Sequence, residues 1–246
     1  MESLDCLTRD CINLLKKNKL LKTLIKIELT KNVLQDVAIE KEKEDKVINN
    51  FKTNYGIEKD EGYQAWLKDN DFSDQEFRNL ALYEMRHKKY CKENFDNKVG
   101  ARFLERKNDL DIIVYSLIRT RDFNKAKEIY LRILEKEADL GDLASQFSEG
   151  LESKTRGIVG PTQIGASHPK LAQVLRQSKP GEIQPPFEVD GSYLLVRVES
   201  FEPSKLDDFM REKMREELFN VWINDKVNHI NEKLLKTNTS TNLNEN

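Results

Sequence analysis

The 246-residue chain has only three cysteines, Cys6, Cys11 and Cys91. An odd number at this spacing fits neither a zinc knuckle nor a disulfide framework, so free thiols in a reducing cytosol are expected. Its three histidines, His87, His168 and His229, stand far apart in sequence, which argues against a metal site built on them. No run of about 18 apolar residues occurs, so no membrane-spanning helix is expected. The opening MESLDCLTRDCINLLKKNK has no apolar core after a basic start and no small-residue cleavage site, which points to the cytoplasm. The glycines never cluster as GxGxxG or GxxxxGK, so no phosphate-cradling loop is present. Charge of neither sign dominates: 41 basic against 43 acidic residues give a formal net charge of −2, without the basic excess of a nucleic-acid binder. At 38% hydrophobic and 34% charged, the chain is polar yet able to form a core.

What is present is mostly helical pattern. Residues 3 to about 50 place Leu4, Leu7, Cys11, Leu14, Leu21 and Ile25 at spacings of three and four, with lysines between them. Seven basic and two acidic residues lie between Arg9 and Lys31; a solvated helix face explains them more simply than a membrane or partner surface. Tyr55-Gly56 stops this region. A short helix carries Tyr63, Trp66 and Leu67. Another opens at Ser73 with Glu76 three residues on, a capping box, and runs through Phe77, Leu80, Ala81 and Met85.

The composition then shifts. Five of six prolines and seven of ten glycines fall between Gly141 and Gly191. Residues 111–118, DIIVYSLI, are rich in β-branched and aromatic types and predict a buried strand. Helices are expected from about Phe123 to Asp139 and around Leu143–Phe147, a short strand over 157–164, and a short helix over 168–176. Asp190-Gly191 signals a two-residue hairpin, followed by a strong strand over 193–198. Few strands with an antiparallel hairpin indicate an α+β module. A helix from about Lys205 to Leu235 carries an apolar stripe, Leu206, Met210, Met214, Leu218, Val221 or Trp222, Ile230 and Leu234. A stripe this long must be buried, and the N-terminal helices are its expected partner. The polar end TNTSTNLNEN is expected to be disordered.

The block LASQFSEGLESKTRGIVGPTQIGASHPKLAQVLRQSKPGEIQPPFEVDGSYLLVRV resembles a parvulin-type peptidyl-prolyl isomerase domain. Its strand, LA-x-x-F-S helix, RG-x-x-G strand, short helix, PGEI turn and final hairpin appear at 114–118, 143–148, 156–160, 168–175, 180–183 and 187–198. The likeness covers about Asp109 to Phe201. The flanks, including YGIEKDEGYQAWLKDNDFSDQEFR, resemble SurA-type chaperone-isomerases, and the whole chain is similar to a cyanobacterial branch without a signal peptide. The resemblance implies an α+β fold: a parvulin-like (FKBP-like) antiparallel sheet with helices, joined to a mostly helical SurA-N-like domain. The implied organisation is a helical chaperone-like domain over 1–108, the parvulin-like domain over 109–202, a C-terminal helix over 203–236 packing back on the helical domain, and a tail over 237–246.

The implied reaction is rotation about an X-Pro bond, whose barrier of about 18–20 kcal/mol reflects lost amide resonance. An isomerase lowers it by holding the proline ring in an apolar pocket and favouring the twisted amide. No cofactor is needed. The resemblance places the family's pocket histidines on Ser116 and Tyr193, its acidic or thiol group on Ile158, and its apolar pocket positions on Ser167, Leu171 and Leu175; a one-residue slip would bring in His168. With Gln163, these form the implied peptide-binding set. No catalytic residue is assigned, because Ile158 supplies no polar group and the histidines are missing. Binding of unfolded or extended polypeptide, proline-containing segments included, is expected to outlive isomerase activity, with a chaperone or export-accessory role. Neither nucleic acid nor a membrane is an expected partner. Leu171→Asp is then expected to remove client binding while leaving the fold largely intact. The alternative is a helical scaffold in which the parvulin-like domain is structural only and residues 1–31 make the contact.

Overall fold

A computed structural model describes residues 4, 6–57 and 60–240. The chain divides into two compact units, one formed by residues 1–100 with 207–246, the other by 101–206.

The first unit is helical. Helices α1 (Arg9–Lys17), α2 (Leu21–Gln35), α3 (Lys41–Asn54), α4 (Asp60–Asp69) and α5 (Asp74–Phe95) follow in order. The helical region expected from residue 3 to about 50 is thus three helices, with two breaks between them. At the first break Lys19 takes a left-handed backbone (φ 61°) and the Asn18 amide donates to the Leu14 carbonyl. A non-glycine residue in that conformation leaves no composition signal, which is why periodicity ran through it. Gly56 (φ 68°) ends α3 as expected. The capping box at Ser73 forms: the Glu76 amide donates to Ser73 Oγ, and the Ser73 amide donates to the Glu76 carboxylate at 2.8 Å.

The last helix of this unit is the 33-residue stretch Asp208–Ser240. It runs four residues into the segment expected to be disordered, and residues 241–246 lie outside the described residues. Its buried line is Met210, Met214, Phe219, Ile223 and Val227, while Val221 is exposed. One end packs with Cys91 and Phe95 of α5, and the other with Ile12, Leu21 and Ile25 of α1 and α2. A separate aromatic core joins Phe51, Tyr63, Trp66 and Phe77.

Helix α6 (Val99–Leu110), which periodicity did not single out, leads into the second unit. There follow β1 (Ile112–Thr120), α7 (Phe123–Leu134), α8 (Leu140–Phe147), β2 (Ile158–Gln163), α9 (Pro169–Gln177), β3 (Phe187–Val189) and β4 (Ser192–Glu202). The Asp208–Ser240 helix is therefore α10. The sheet is antiparallel, in the order β2-β1-β4-β3, and the fold class is α+β. Helix α7 ends five residues earlier than expected, because Lys136 turns left-handed (φ 61°) just past its cap at Glu135. The β3–β4 turn has Asp190 (φ 47°) and Gly191 (φ 74°) both at positive φ, the mirror-image turn that Asp-Gly favours.

Apolar layers cover both faces of the sheet. Ile118 and Leu195 pack with Ala126 and Ile129 of α7 and Leu140, Leu143 and Ala144 of α8. Ile113, Tyr115, Leu117, Leu194, Val196 and Val198 pack with Leu171, Ala172 and Leu175 of α9. Each fully buried leucine or isoleucine contributes about 1.5–3 kcal/mol, so these two layers dominate the stability of the unit. Helix α9 begins at a Pro-primed cap, where His168 Nδ1 accepts from the Lys170 amide. It is tied at its far end by Arg176, which donates to Asp109 at 2.7 Å.

Candidate functional site

The face between the sheet and α9 holds the apolar positions expected to form a pocket. Leu171 and Leu175 lie on one side of α9, four residues apart, and both are buried, at 6% and 2% exposure. They are packed against Tyr115, Leu194 and Val196 and are already filled core, not an open floor. Ser167, half-buried, immediately precedes the cap of α9. Its side chain lies beside the phenol of Tyr115, whose pKa it acts to lower against the larger effect of burial.

Strand alternation decides what else can join them. Successive residues of a strand point to opposite faces. Ile113, Tyr115 and Leu117 face α9, so Ser116 faces the other way, with Ile118. The neighbouring strands carry the same parity: Tyr115 lies beside Val159 and Val198, and Ser116 lies beside Ile158 and Arg197. Tyr193 also belongs to the α7 and α8 side, its ring 5.1 Å from that of Phe123.

The sheet therefore does not bring the expected set together. Ser167, Leu171 and Leu175 are on the α9 face; Ser116, Ile158 and Tyr193 are on the opposite one. Gln163 is half-buried at the last residue of β2, beside Ile112. Ser116 is fully engaged where it stands: its hydroxyl donates to the Glu199 carboxylate, which also accepts from Arg197 Nε at 2.8 Å. A buried hydroxyl satisfied in this way serves the sheet rather than a ligand. Ile158 is 43% exposed on the edge strand β2, an apolar side chain with no polar atom to offer.

The residue that sequence reasoning missed is Tyr115, one position before Ser116. It occupies the central strand on the α9 face, is almost wholly buried, and brings a hydroxyl to that apolar layer. Burial is the main cause that raises its phenol above the ordinary tyrosine range, so it is a neutral donor at physiological pH. The signal was the shared parity of Ile113, Tyr115 and Leu117. It was masked because DIIVYSLI is apolar on both parities, as a strand covered on both faces must be. Tyr115 and Ser167 form a neutral hydroxyl pair in an apolar setting. Such a pair can donate one hydrogen bond to an amide oxygen and supplies neither a charge nor a strong base.

Residues 119–200 match the family model of the PPIC-type PPIase domain, the rotamase family. No curated protein sequence matches the chain. Among solved structures, the chain is similar to the peptidylprolyl isomerase PrsA from Bacillus cereus, with 18% identity and a TM-score of 0.51 over 94% of this chain and 88% of that one. It is also similar to PrsA from Bacillus anthracis, with 22% identity and a TM-score of 0.44 over 87% and 94%. A match to a SurA-like chaperone of Campylobacter jejuni has 17% identity and a TM-score of 0.38 over 81% and 85%. At these identities the likeness is one of fold. Residues 119–200 carry a parvulin-type domain, with helical segments before and after it in sequence.

Proposed function

We propose that this chain is a PPIase-like chaperone of the parvulin class, which binds extended polypeptide, proline-containing segments included, with isomerase activity weak or lost. The observation that carries this reading is the chemistry of the α9 face within the matched segment and the strand that leads into it. The layer is apolar, and the polar groups it holds, Tyr115 and Ser167, are neutral hydroxyls. Leu171 and Leu175 are already packed, so a proline ring or another apolar side chain would meet this layer at its rim, by Ser167 and the start of α9. A lone neutral donor stabilises a twisted amide less than a charged or multiply bonded environment would, because hydrogen bonds to ionised groups are about twice as strong as neutral ones. The exposed thiol of Cys11 supports the further proposal that the protein works in a reducing compartment, the cytoplasm.

The test is magnetisation-exchange NMR on short Xaa-Pro peptides, varying the residue before proline, with the protein's own amide shifts recorded in the same titration. Shifts at Tyr115, Ser167 and the start of α9, with little or no acceleration, are the expected result. Strong acceleration would overturn the loss of activity. Absence of both shifts and acceleration would overturn peptide binding at this face. Tyr115→Phe is expected to abolish whatever acceleration remains while leaving binding within about threefold, since it removes one donor and no apolar surface.

A further inference from the structure

The helical unit contains a second cluster of reactive side chains, unrelated to the sheet. His87 and Cys91 stand four apart on α5 and so share one side of it. Glu216 of α10 completes the group, and one ligand atom from each of the three lies within 4.8 Å of the others. Cys91 Sγ is 3.9 Å from His87 Nδ1 and 3.8 Å from Nε2, and His87 Nδ1 is 3.5 Å from Glu216 Oε2. The wide separation of the three histidines argues against a metal site built on them; this trio draws on one histidine, with a cysteine and a carboxylate of the same unit beside it.

We propose that His87, Cys91 and Glu216 bind a zinc-class divalent metal ion. With Zn–S of about 2.3 Å and Zn–N or Zn–O of about 2.0–2.1 Å, tetrahedral ligation needs S···N of about 3.5 Å and N···O of about 3.3 Å. The His87–Cys91 and His87–Glu216 separations are slightly wider than these and Cys91 lies within 4.8 Å of Glu216, so ligation requires the trio to close and the imidazole to turn about its last side-chain bond. The ring is held between Tyr83, stacked at 5.9 Å, and Phe219, edge-on at 4.5 Å. A divalent ion between a Cys91 thiolate and the Glu216 carboxylate would turn their mutual repulsion into attraction.

The surroundings also select the type of ion. All three residues line an open cleft of about 650 Å³ that also presents Lys88, Lys92 and Lys213. Calcium and magnesium depend on several oxygen ligands, and the cleft lining offers two carboxylates, Glu212 and Glu216. Thiolate and imidazole instead favour a d-block ion. The fourth coordination position faces the cleft and is open to water.

The experiment uses the full chain carrying Cys6→Ser and Cys11→Ser, so that Cys91 is its one thiol. Cobalt(II) is titrated and followed by its thiolate-to-metal charge-transfer absorption, and zinc is then added to displace it. The expected result is a band saturating at one equivalent, bleached by one equivalent of zinc. It should be lost in Cys91→Ser and weakened at least tenfold in affinity in both His87→Gln and Glu216→Gln. Glu216 is half-exposed, so its variant tests the site even if Cys91→Ser fails to fold, with circular dichroism as the check. No band at stoichiometric cobalt, or a band whose affinity is unchanged by both His87→Gln and Glu216→Gln, would overturn the proposal.

Discussion

Replacing Leu175 by alanine tests whether the α9 face is filled core or a ready ligand floor. Leu175 is 2% exposed, and its neighbours come from β1, β4 and α9 itself. Losing three carbons removes about 2.4 kcal/mol of transfer free energy at about 0.8 kcal/mol per carbon. The space left behind adds a further cost, because a sheet and a helix anchored by Arg176 collapse only in part. The expected total is about 2–5 kcal/mol, within the range for buried leucine truncations. The probe must be chosen with care. Both tryptophans, Trp66 and Trp222, belong to the helical unit, so their fluorescence reports that unit. Amide hydrogen exchange of β1 and β4 reads the sheet directly. At about 1.4 kcal/mol per decade, protection there should fall by about 30-fold to several thousand-fold. A fall of less than about fivefold would refute the reasoning, because it would mean that the leucine contacts little until a peptide arrives. The same burial changes the expectation for Leu171→Asp: a carboxylate at a 6%-exposed core position should unfold the sheet unit rather than selectively remove a client.

Two further predictions concern the helical unit. Ser73→Ala removes one half of the capping box and should cost about 0.5–2 kcal/mol, read by urea unfolding followed on Trp66, which packs against Phe77 near that cap. The Tyr63 hydroxyl donates to Asp74 Oδ1 at 2.8 Å, and that bond is the first cause holding the Asp74 carboxyl below its ordinary range. A depressed carboxyl contributes stability above its unfolded pKa and loses it as pH falls through the folded value. Tyr63→Phe should therefore raise the Asp74 pKa in a carboxyl-carbon NMR titration and make the unit less sensitive to acid. In the unaltered chain, burial and then Asp74 push the Tyr63 phenol up to about 12, so its tyrosinate absorbance should appear only near that pH. An ordinary tyrosine titration would contradict the buried pair.

Local sequence determined a good deal of this protein. Ser73 and Glu76, Asp190-Gly191, Tyr55-Gly56 and the β-branched run at 111–118 act through nearest neighbours and backbone preferences, so their elements could be read directly and the parvulin-type order of parts with them. Breaks at Lys19 and Lys136 could not, because each is an exposed lysine closing a helix through main-chain bonds, the Leu20 amide to the Leu15 carbonyl and the Glu137 amide to the Arg132 carbonyl, where glycine would be the usual signal. The site depended on tertiary structure for a different reason. Which parity of β1 faces α9 is fixed only when both faces of the sheet are covered, and a one-residue difference moves the relevant side chain from Ser116 to Tyr115. The trio His87, Cys91 and Glu216 shows the same division. The four-residue spacing on α5 is written in the sequence, but Glu216 lies 125 residues beyond Cys91 and reaches it only because the apolar line of α10 is buried against α5.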